Sequence, residues 1–142
     1  MNETIRRTVM TLSIAALAAG CNQPEIVTAL DRTFHLGVGR QAVFPSQQLE
    51  LGFARAVDSR CPEGTNCMRA GEAIVTLWMG PEGGRKPEVF EARIPASASP
   101  DSATVVEHGD YRIRLIGLEP RPKASQPVDT TAYVLELRVT RR

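Results

Sequence analysis

From Thr33 onward apolar and polar residues alternate with a period of two. Phe34, Leu36 and Val38 lie on one face, and Thr33, His35 and Gly37 on the other. Gly39-Arg40 turns the chain, Gln41 to Phe44 either continues the strand or pairs back on it, and Pro45 stops it. The same period returns in Leu49, Leu51 and Phe53, set against Glu50, Gly52 and Ala54. Arg55 breaks the alternation before Val57, which predicts a bulge or the rim of the core at that point. Further on, Ala73, Val75, Leu77 and Met79 share one face and Ile74, Thr76 and Trp78 the other. Neither face is strongly polar, which predicts a central strand. Gly80-Pro81-Glu82-Gly83-Gly84 is the strongest turn signal in the chain; Phe90, Ala92 and Ile94 then point one way, and Pro95 ends their strand. A short extended piece at Thr104 to Val106 precedes a hairpin-like Gly109-Asp110, after which Tyr111, Ile113 and Leu115 alternate with arginines. The proline-rich stretch from Glu119 to Asp129 reads as an exposed connection, and Tyr133, Leu135, Leu137 and Val139 mark the last strand.

These patterns predict about seven short strands and no helical stripe, which places residues 32–142 in the all-β class as a single antiparallel β-sandwich. A small barrel is the alternative architecture. No internal repeat is visible, and the proline-bearing loops are too short to join separate domains.

The first residues follow another rule. Arg6 and Arg7 precede an apolar run from Val9 to Ala19, about 11 residues against the roughly 20 that a membrane-spanning helix needs, so residues 1–20 read as a secretion signal. The stretch Leu17-Ala18-Ala19-Gly20-Cys21 resembles a bacterial lipobox. The resemblance implies that Cys21 is the lipidated mature N-terminus and fixes the protein to a membrane. Asn22, rather than Asp, follows the cysteine, which in lipoproteins of this type implies the outer membrane, with the domain facing the periplasm. Residues 21–31 then form a spacer, expected to be irregular.

Assigning Cys21 to lipid leaves Cys61 and Cys67, an even pair in an oxidising compartment, and predicts a disulfide-closed loop. Their spacing lacks the two intervening residues of a thioredoxin-like motif and the partner ligands of a zinc site, so the metal and redox alternatives are weaker. Loss of residues 1–20 leaves 15 basic and 15 acidic side chains from the 17 and 16 of the whole chain. A neutral balance gives no electrostatic reason to expect nucleic acid.

The loop joins the two best strand patterns. Asp58 can accept backbone donors from Arg60 onward as an Asx-type turn, Pro62 fixes one dihedral, and Gly64 allows a positive φ. The same loop offers Asp58, Arg60, Glu63, Asn66 and Arg69 as candidate binding residues on a stiff platform, where stiffness lowers the ordering cost of binding. With Ser59, Cys61, Cys67, Ala70 and Gly71, the segment resembles a group of small bacterial envelope proteins, many of them lipoproteins. They share Asp-Ser-Arg-Cys-Pro-x-Gly-x-x-Cys leading into Ala-Gly. That resemblance implies an envelope location and a β-rich fold but no reaction, and Arg69 stands where such proteins often carry an aromatic.

Chemistry-bearing patterns are scarce. Asp58, Glu63 and Asn66 lack the dense alternating carboxylates of a calcium loop. His35 and His108, the only histidines, are far apart and expected on the surface, and Cys67, Met68 and Met79 do not make a copper site when Cys67 is oxidised. No His-Glu-x-x-His, Gly-x-Ser-x-Gly, phosphate loop or dinucleotide fingerprint occurs. The expectation is a non-enzymatic, lipid-anchored periplasmic interaction protein without cofactor or metal, using the disulfide loop to meet an envelope or exogenous protein. Inhibition of a hydrolase is a narrower version. The rival is an envelope hydrolase or metal-dependent enzyme built around His35 or His108.

Overall fold

The computed structural model describes residues 25–84 and 86–142; the signal segment and Cys21 lie outside the described residues. Nine strands follow in order: β1 (Glu25–Val27), β2 (Thr33–Gly37), β3 (Arg40–Phe44), β4 (Leu49–Asp58), β5 (Glu72–Pro81), β6 (Glu88–Pro95), β7 (Thr104–His108), β8 (Tyr111–Glu119) and β9 (Val134–Arg141). They form a β-sandwich. A five-stranded sheet of order β1-β3-β4-β5-β6 packs against a four-stranded sheet of order β2-β9-β8-β7. All pairs are antiparallel except β1 with β3, which is parallel.

The period-two pattern explains the core. Leu51 and Phe53 of β4, Val75 and Leu77 of β5, Ile113 and Leu115 of β8, and Leu135, Leu137 and Val139 of β9 are fully buried where the inner faces meet. Interior strand β5 also half-buries Ile74 and Trp78 on its outer face, as a strand with two apolar faces should. The Trp78 indole lies over Gly52 directly opposite, where a Cβ would stand 1.9 Å from the ring. Glycine is therefore the residue that admits the indole.

Three features differ from the sequence expectation. Part of the spacer is not irregular, because Glu25–Val27 adds to the outer edge of β3. Gln41 to Phe44 neither continues β2 nor pairs back on it. The Val38-Gly39 connection, with Gly39 at φ 74°, carries the chain from one sheet to the other, and Phe34 and Phe44 meet edge to face across the interior at 5.8 Å. On β8, Leu115 and Ile116 are both buried because the register shifts between Leu115 and Gly117, so the strand runs on to Glu119. The bulge expected near Arg55 is present, between Phe53 and Arg55.

The antiparallel directions sort the connections into two ends. One end gathers the loop from β4 to β5, the start of the β6 to β7 connection, and the long β8 to β9 connection. The turn between β5 and β6 and the Gly109-Asp110 hairpin lie at the other.

Candidate functional site

The β4 to β5 loop begins as a continuation of its strands: Ser59 N donates to Glu72 O at 2.9 Å and Cys61 N to Ala70 O at 2.8 Å. Gly71 makes this narrow neck workable. Its φ is 74°, and a Cβ there would fall 2.0 Å from Ser59 O. Beyond the neck Cys61 and Cys67 are joined by a disulfide, with Cα atoms 5.9 Å apart. Thr65 closes the tip, its N and Oγ1 both donating to Pro62 O.

Asp58 and Arg60, expected among the contact side chains, instead turn inward. Their side chains are 2% and 4% exposed and form a forked pair: Arg60 Nε donates to Asp58 Oδ1 at 2.9 Å and Nη2 to Oδ2 at 2.7 Å. Arg60 Nη1 also donates to Leu118 O at 2.8 Å, and Nη2 to Pro120 O at 3.1 Å, so one guanidinium ties the loop to the end of β8. Asp58 accepts in addition from Arg60 N at 3.0 Å, the expected Asx-type turn, and from Tyr133 Oη at 3.1 Å. Every polar atom of the buried pair is thereby matched, which is the condition under which two charges can leave water.

The electrostatics follow. Burial pushes the Asp58 carboxyl up, but the hydrogen bonds and charge of Arg60, with the Tyr133 hydroxyl, outweigh it and hold the group below the ordinary carboxylate range. Burial and then the Asp58 charge push the Tyr133 hydroxyl up to about 12. At neutral pH the pair is ionic and Tyr133 is a neutral donor.

The long β8 to β9 connection is exposed as its composition predicts, with only Pro122 and Val128 half-buried, and it bonds to the disulfide loop through its main chain. Glu63 N donates to Pro122 O at 2.8 Å and Glu63 O accepts from Ala124 N at 3.2 Å. Glu63, Asn66 and Arg69 point their side chains to solvent, and Met68 beside them is fully exposed. The five predicted residues thus divide: two hold the loop down and three face outward. Between the two loops and the end of β4 lies a cavity of about 610 Å³, lined by Ala56, Val57, Asp58, Pro62, Tyr133 and residues 122, 123, 125–128 and 130. Its walls are mainly apolar, and Lys123 stands at it.

The histidines are apart from this site. His35 is exposed on β2. His108, expected on the surface, is instead half-buried, stacked on Phe90 at 4.5 Å with Nε2 3.1 Å from Glu88 Oε2. The 450 Å³ cavity there, at the opposite end of the sandwich, has Lys86, Asp110 and Tyr111 in its wall but no serine, threonine or cysteine among its described lining residues. Among the described residues no group of three His, Cys, Asp or Glu side chains is placed to share a metal ion.

The inward pair was missed because its acceptors, Leu118 and Pro120, are 58 and 60 residues away in the chain. Only the Asp58 to Arg60 spacing pointed at it. Comparison with protein-family models, with curated proteins and with solved structures finds no match.

Proposed function

We propose that this is a lipid-anchored, non-enzymatic envelope protein that meets a protein partner through the disulfide end of its sandwich. One observation carries the reading: the chain enters the sheet heading away from that end. Because β1 runs parallel to β3, Glu25 lies beside Gln41 and is the residue of β1 nearest the loop that joins β4 to β5. Only four residue steps separate Cys21 from Glu25, a reach of at most about 14 Å. Gln41 pairs with Gly52, and the six steps from Gly52 to Asp58 extend about 20 Å toward the disulfide loop. A short tether therefore keeps the stapled surface close to the anchoring membrane, and the partner belongs to that zone.

Rigidity supports the same reading. The disulfide closes the β4 to β5 loop on itself, Arg60 ties it to Leu118 O and Pro120 O, and main-chain bonds of Glu63 join it to the β8 to β9 connection, so the outward Glu63, Asn66, Met68 and Arg69 are ordered before any partner arrives. The test is a photoreactive residue at Arg69 in growing cells. A discrete protein adduct is expected, and absence of any adduct across growth conditions counts against the proposal.

A further inference from the structure

Strand β4 is longer than its neighbour β3. The β3 pairing stops at Arg40 with Phe53, so Arg55 to Asp58 are paired on the β5 side alone. Which main-chain groups this leaves open follows from the ladder. In an antiparallel pair, opposed residues alternate between those that exchange hydrogen bonds and those that do not. Ser59 N bonds Glu72 O, so the position one step back, Asp58 with Ala73, is a non-bonded pair, and so is Ala56 with Val75. The N–H and C=O of Ala56 and Asp58 consequently point away from β5, toward the side on which the β3 pairing has already ended at Phe53.

These open groups sit where the 610 Å³ cavity lies, a volume within the range of about 300–1,000 Å³ usual for ligand pockets. The opposite wall comes from the β8 to β9 connection, whose Pro122 and Pro127 have no N–H and so line the edge without pairing to it. Asp58 offers no free charge, since Arg60 and Tyr133 use its carboxylate. The site therefore combines an unpaired strand edge with an apolar trough. Val57, 55% exposed, lies on the outer side of the same strand.

We propose that this edge is a strand-addition site: an extended peptide segment of a protein partner pairs with Ala56 and Asp58 and extends the five-stranded sheet in line with β3. Its main-chain groups take the open bonds. Side chains opposite Ala56 and Asp58 are apolar and enter the trough toward Tyr133 and Val128, while the one opposite Val57 faces outward. This rests on the reading of the disulfide end as the contact surface, and supplies the chemistry of what is contacted.

The test uses random linear peptides displayed against the oxidised mature domain. The best binder is resynthesised with a single N-methyl group at each successive residue. Strand addition predicts loss of about tenfold in affinity at alternating positions and little change between them, because only alternate amides face β4. Amide-shift changes are expected at Ala56 and Asp58, with weaker binding to Val57→Asp. Failure to recover any binder, tolerance of N-methylation throughout, or shifts confined elsewhere overturns the proposal. The modification is on the peptide, so the folding of the domain does not enter. A cellular adduct at Arg69 that persists unchanged in Val57→Asp overturns strand addition and leaves the contact surface standing; alternating peptide binding with no cellular adduct does the reverse.

Discussion

Arg60 is the residue on which the disulfide end turns, because it neutralises Asp58 and satisfies two carbonyls of a distant strand end in one planar fork. Replacing it with alanine leaves a carboxylate buried without its partner, and a loss of about 3–5 kcal/mol is expected in denaturant unfolding. Asp58→Asn with Arg60→Met should cost less than the two single losses added, since neither charge is then stranded. The pair also sets an acid limit. A carboxyl whose folded pKa is depressed contributes stability that is complete above its unfolded value, near 3.8, and is lost as pH falls through the lower folded value. Melting temperature should thus drop steeply below about pH 4, and the drop should shrink in Asp58→Asn. Tyr133 acts at the other limit: with its hydroxyl raised to about 12, stability is complete below its unfolded value of about 10 and falls as pH climbs through 12. At this scale the turn-forming roles of Asp58 and the cysteine pairing were legible from types and spacing. The fate of the Arg60 side chain was not, because its acceptors are set by the long-range packing of β8.

Element boundaries show the same division. Alternation exposed most of the strands, and the break at Arg55 announced a bulge, because a period of two has no tolerance for an extra residue. Strand β1 was invisible, three residues being too few to show a period. The assignment of β2 and β3 to different sheets was hidden as well, since Val38-Gly39 has the composition of a hairpin turn and only the packing of Phe34 against Phe44 distinguishes a crossing. The loop between β4 and β5 makes two predictions of its own. Gly71→Ala should destabilise by about 1–3 kcal/mol, through a positive φ and a collision with Ser59 O that no rotamer relieves. Reducing the disulfide should lower stability by about 2 kcal/mol, a short loop holding little closure entropy. Hydrogen exchange should then quicken at residues 61–67 and stay slow at the Ser59 to Glu72 neck, where main-chain bonds and the buried pair persist.

For the whole molecule, the sandwich was legible because paired apolar faces leave few other arrangements, whereas the strand order was not, since alternation says nothing of which strand is beside which. Order matters to the proposed contact. Only the parallel placement of β1 against β3 turns its first residue, Glu25, toward the end that holds the stapled loop, and only the short β3 leaves the β4 edge open. The central claim is that the lipid anchor and the contact surface share that end. It is tested most directly with the acylated protein in lipid vesicles, carrying a fluorescent residue at Arg69 or, in a second sample, at Gly83 in the opposite turn, with a quencher attached to the lipid headgroups. Stronger quenching at position 69 than at 83 is the predicted result; equal quenching, or stronger quenching at 83, contradicts the account.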